Sequence, residues 1–90
     1  MMQANRLSDL RNLGPKSEAM FVAIGIRTPA QLAARGSLDA YLALRQSGQQ
    51  VSLNLLWAIE GALTNRDWRQ VIRDDKLRLL TELEVCGVHT

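Results

Sequence analysis

Cys86 is the single cysteine of the 90-residue chain, so no disulfide can form within it and its stability must come from packing. That usage fits a reducing compartment, and the cytoplasm is the expected location. Aromatic residues make up only 4% of the chain, which leaves Leu, Ile, Val, Ala and Met to fill the core and suits closely packed helices better than a sheet. No stretch approaches the roughly 20 apolar residues of a membrane span. The opening MMQANRLSDLRNL also lacks the apolar run of a secretory signal. Strand-like alternation, internal repeats and low-complexity segments are missing, and the glycines stand singly rather than in a phosphate-cradling loop.

Chemistry is equally sparse. Cys86 and His89 are two ligands at a spacing of three, too few to close a tetrahedral zinc site. Asp74 and Asp75 are adjacent carboxylates with no histidine or nucleophile beside them, and they read as a helix start. These absences point away from an enzyme, a metal, a cofactor or a small-molecule substrate.

An apolar content of 47% in 90 residues makes one domain, near the size at which a single core just suffices. The formal charge is +2. Residues 1–50 carry +3 and residues 51–90 carry −1, so the positive half is the half that contains the glycine corner at residues 10–26.

Stop and start signals for helices recur at short intervals. The first helix is expected from about Asn5 to Asn12, ending at Gly14. Pro15 suits the first position of a second helix that lasts to Ile24, and Gly25 closes it. Thr28-Pro-Ala-Gln31 is a capping box that opens a third helix, Pro29 to about Arg35. Ser37 is placed to cap a fourth, Leu38 to Gln46, and Ser52 a fifth, Leu53 to Leu63, which is apolar on more than one side. Such a helix is either central or offers Trp57 to a partner. Asn65 can end it in the left-handed conformation, Asp67 can cap a single turn around Trp68, and Asp74 or Asp75 starts the last helix, with Leu79, Leu80 and Leu83 facing inward. The ends, residues 1–4 and 87–90, are expected to fray. The fold class is therefore all-α, a compact bundle of five to seven short helices.

Leu7, Leu10, Asn12, Leu13 and Gly14 have the spacing of a helix-hairpin-helix corner, h-x-x-h-x-G-h-G, with asparagine at the first glycine. Asparagine tolerates the positive φ required there better than most residues. If the corner grips DNA, the free amides around Lys16 and Ser17 would point at a phosphate, with Gly14 leaving room and Arg11 and Arg27 flanking. Such contact would be salt-sensitive and blind to sequence. Glu18 stands where the motif expects a small residue, which puts a carboxylate near the supposed phosphate. The rival reading is an apolar surface including Leu53, Trp57 or Trp68 that binds a protein, either another copy or a different chain.

The runs LRNLGPKSEAM (10–20), GIRT (25–28), AYL (40–42) and VSLNLLWAIEGAL (51–63) resemble the C-terminal domain of the TfoX/Sxy family, in order and with similar spacing from about Leu7 to Trp68. The resemblance implies a helical, non-enzymatic regulator of natural competence that acts with a transcription factor, the cyclic-AMP receptor protein, at promoters of DNA-uptake genes. Longer family members place another domain before this one. Because the motif begins within the first dozen residues, a stand-alone copy is expected here. Protein contact is the leading expectation, with double-stranded DNA the second.

Overall fold

The computed structural model describes residues 6–87, and among them the chain forms one 3-10 turn and five α-helices. The turn covers Leu7–Asp9. The helices are α1 (Pro15–Ala23), α2 (Pro29–Arg35), α3 (Ser37–Gln46), α4 (Leu53–Thr64) and α5 (Trp68–Val85). Described residues include no strand, and none of the helices is long and apolar enough to cross a membrane. The expected fraying at residues 1–4 and 88–90, and the expected helix start at Asn5, lie outside the described residues. Gly87 is described and closes α5 with a φ of 84°.

Local chemistry sets most boundaries. Pro15 opens α1, and Thr28 accepts the Gln31 amide at 3.1 Å while the Gln31 side chain accepts the Arg27 amide at 2.7 Å. Asn65 ends α4 at φ 55°, ψ 47°. Asp67 caps α5 by accepting the Arg69 amide at 2.9 Å, and Gln70 returns the favour by accepting the Asp67 amide at 3.1 Å.

Three boundaries differ from expectation. Residues 6–12 do not make the expected helix: beyond the 3-10 turn, Leu10 is extended and Asn12 takes a φ of 72°. In a segment this short tertiary packing, rather than intrinsic helix propensity, decides the backbone. The irregular path also lets Leu7 and Leu13 both enter the core, at 0% and 7% exposed. The hairpin of two rods is therefore reduced to one rod, α1, preceded by a turn. Asp74 and Asp75 do not start a helix but lie inside the 18-residue α5. Asp in a helix interior costs a few tenths of a kcal/mol, and here both carboxylates face arginines. Ser37 does not cap α3; it is buried and donates to Glu60 Oε1 at 2.6 Å.

α4 is the central helix, packed against α5 on one side and α3 on the other. Leu56, Trp57 and Ile59 are buried on it, and α5 closes the core with Val71, Leu79 and Leu83. Trp57 is 3% exposed, so the first of the two readings of α4 holds and Trp57 is not a surface anchor. Gly61 lies where α4 meets the corner. A Cβ there would run into both the Arg66 carbonyl oxygen and the Asn12 side-chain nitrogen. At an open helix position Gly→Ala stabilises by up to about 1 kcal/mol. Gly61→Ala is instead expected to cost about 2 kcal/mol by overpacking, read as a lower urea midpoint at unchanged m-value.

Candidate functional site

The corner between the 3-10 turn and α1 is built around Asn12. Its left-handed backbone aims the side chain across the molecule, where Nδ2 donates to the Arg66 carbonyl at 2.8 Å and the Ala58 carbonyl at 3.4 Å. The amide is thus spent on the turn between α4 and α5. Arg11 also reaches that turn, with Nη1 donating to the Asn65 carbonyl at 3.4 Å.

The other corner residues are placed unequally. Gly14 precedes α1 in extended backbone that any residue adopts, and a Cβ on it would meet open space. No side chain caps α1 at Gly14, and the first intrahelical bond runs from the Glu18 amide to the Gly14 carbonyl at 3.0 Å. The amides of Lys16 and Ser17 precede that bond; Lys16 is exposed and Ser17 half-buried. Arg27 is exposed but follows the far end of α1, which lies roughly 10 Å of helix from Lys16. The structure therefore does not bring Arg27 to the corner.

Glu18 is not a loose carboxylate beside the α1 start. Its Oε1 accepts from Arg6 at 2.7 Å and its Oε2 from the Ser8 amide at 3.3 Å, tying the 3-10 turn to α1. The Arg6 bond first, and the Ser8 amide next, hold the Glu18 carboxyl below the usual carboxylate range.

Of the protein-interface candidates, Leu53 and Trp68 are half-buried and Trp57 is core. The Arg69 guanidinium lies 5.1 Å from the centre of the Trp68 ring, stacking a cation on the half-exposed indole at the start of α5.

A polar network between α4 and α5 escaped the sequence reading. Arg66 bonds Asp75 and lies 3.6 Å from Glu60, while Arg78 reaches Glu60 at 3.4 Å, Asp75 at 3.4 Å and Glu82 at 3.5 Å. The Arg78 pairs with Asp75 and Glu82 lie within one helix, at spacings of three and four, whereas Arg66 and Glu60 meet α5 through the fold. The Arg66 bond first, then that of Arg78, lowers the Asp75 carboxyl. Among the described residues no group of three or more His, Cys, Asp or Glu is arranged to hold a metal; His89 lies outside them and Cys86 is exposed.

Glu18 and Asp75 both ionise more readily folded than unfolded. The stability they lend is full above the ordinary carboxylate range and is lost as pH falls through that range and below it. Urea midpoints measured between neutral pH and pH about 3 should fall on acidification. Glu18→Gln and Asp75→Asn should each flatten that acid limb, and an unchanged limb in both would contradict the assignment.

Residues 3–83 match the TfoX C-terminal domain family. The chain is 34% identical over 83 residues to the DNA transformation protein TfoX of Haemophilus influenzae, covering 92% of this chain and 38% of that protein. It thus spans well under half the length of this curated relative. A crystal structure of an uncharacterized protein from Listeria monocytogenes superposes with a TM-score of 0.80 at 30% identity, covering 94% of this chain and 98% of that one. With the family match running from the corner through nearly all of α5, the chain belongs to the TfoX C-terminal domain family.

Proposed function

We propose that this chain is a non-enzymatic interaction domain in the regulation of DNA transformation, working chiefly by contact with another protein. The observation that carries the reading is the likeness to the Haemophilus influenzae DNA transformation protein over 92% of the chain. The fitting partner class is a promoter-bound transcription factor of the cyclic-AMP receptor protein type, as the family resemblance implies. Trp68 under Arg69 is the aromatic edge best suited to such a contact, since Trp and Arg dominate protein interfaces when they desolvate together.

Charge supports protein over nucleic acid. Arg6, Arg35, Arg66 and Arg78 are held in ion pairs, and Arg11 is turned to a backbone carbonyl. Lys16 is the cation at the corner that no such bond engages among the described residues. Phosphate-driven binding draws on several cations acting together.

A specific observation favours a second, DNA-contacting reading. The α1 start has no side-chain cap, and neither backbone conformation nor packing explains why residue 14 is glycine. An approaching phosphate would explain both.

Two measurements test these readings. Exchanging the matching segment of the Haemophilus influenzae protein for this chain should preserve transformation frequency, and Trp68→Ala in the exchanged segment should lower it; loss on the exchange itself, with the fusion folded, would contradict the regulatory role. Titration with duplex DNA at low salt should show weak binding at most. Tight binding abolished by Lys16→Glu and weakened by Gly14→Ala, which should leave stability within about 0.5 kcal/mol, would move the reading to DNA.

A further inference from the structure

One side of α5 closes the core, while the other carries a stripe left open to solvent. At 100° per residue Arg73, Leu77, Leu80 and Glu84 fall within an arc of about 60°. Their 4-3-4 spacing is that of a seam between two helices. Leu77 is 80% exposed in the middle of the helix. Leu80 is half-buried, packed against the core from the edge of the stripe. The Arg73 side chain is 72% exposed, with a neighbouring carboxylate, Asp74, at 3.7 Å. Glu84 is exposed at the other end. A shallow hollow lined by Ile72, Arg73, Asp74, Lys76, Leu77 and Leu80 offers a hole in which a facing side chain can seat.

The order of charges along the stripe selects the occupant. A cation stands at its N-terminal end, two leucines in the middle and a carboxylate at its C-terminal end. A second copy laid parallel would set Arg73 beside Arg73 and Glu84 beside Glu84. A copy laid antiparallel, with the two-fold axis midway between Leu77 and Leu80, sets Leu77 of each against Leu80 of the other and Arg73 against Glu84, twice over. Duplex DNA fits worse, because the leucines and Glu84 would face phosphates.

We infer that α5 is a homodimerisation helix, two copies pairing antiparallel through the Arg73, Leu77, Leu80 and Glu84 seam. The inference goes beyond the regulatory reading and does not depend on it. The seam from Arg73 to Glu84 runs about 17 Å along α5, so the buried area falls at the low end of specific interfaces and the dimer is expected to be weak.

Sedimentation equilibrium over a concentration series tests it, with circular dichroism confirming that each variant is folded. The chain should form dimers, and Leu77→Asp should leave monomers. Arg73→Glu alone and Glu84→Arg alone should each weaken self-association roughly tenfold or more, because each places like charges opposite each other twice. An equimolar mixture of the two variants should pair at least as well as the parent, since every facing charge is then opposite. A parent chain that stays monomeric up to about 1 mM, or a mixture that pairs no better than either variant alone, overturns the inference. So does a monomer that binds duplex DNA through this stripe, revealed by affinity lost in Arg73→Glu and gained in Glu84→Arg.

Discussion

Everything in this domain hangs on one close approach, in which the Asn12 amide enters the turn between α4 and α5 over a helix position that has no side chain. The Arg66 carbonyl needs a donor, the Asn12 side chain supplies it at 2.8 Å, and only glycine at residue 61 leaves the space. The same turn is held from within by the Arg66 amide donating to the Gly61 carbonyl at 2.8 Å. Residues 54 positions apart are thereby locked before any large apolar side chain is counted. The bond is part-buried, and a shielded carbonyl left without a donor costs more than a made bond contributes, so this junction helps to set the direction in which α5 departs.

From that direction the surfaces follow. α5 leaves the turn with Val71, Leu79 and Leu83 against α4, and Asp75 falls within reach of Arg66 and Arg78. The opposite side, with Leu77, is turned to solvent. The corner itself is held for structure: Asn12 and Arg11 both point at the α4–α5 turn, so what it offers a ligand is backbone amide and Lys16 rather than a ring of cations.

Local signals were legible and tertiary ones were not. Pro15, the Thr28 and Gln31 box, Asn65 and Asp67 each act on backbone within a few residues, and each sets the boundary its chemistry suggests. The positive φ of Asn12 could be read in the same way, but the destination of its side chain could not, because Arg66 and Gly61 are remote in the chain. Ser37 has the look of a cap and is used instead by Glu60, and Asp74-Asp75 have the look of a helix start and are used by arginines from the preceding turn and the next one. Trp57 alternates with apolar neighbours on a helix that is buried on two sides, a pattern that periodicity alone leaves open between core and interface. Of the candidate site residues, Lys16 is exposed at the start of α1 and Trp68 is half-buried at the start of α5, whereas Arg27 is carried away by the length of α1.

The central claim is that Asn12 and Gly61 act as one unit, and a double-mutant cycle in urea unfolding tests it most directly. With Asn12→Gly, which keeps the backbone conformation but removes the amide, Gly61→Ala has one obstacle fewer. Its cost should then shrink by about 1 kcal/mol or more relative to the parent background. Costs that add to within about 0.3 kcal/mol would mean the two residues are independent, and the junction would lose its place as the origin of the fold.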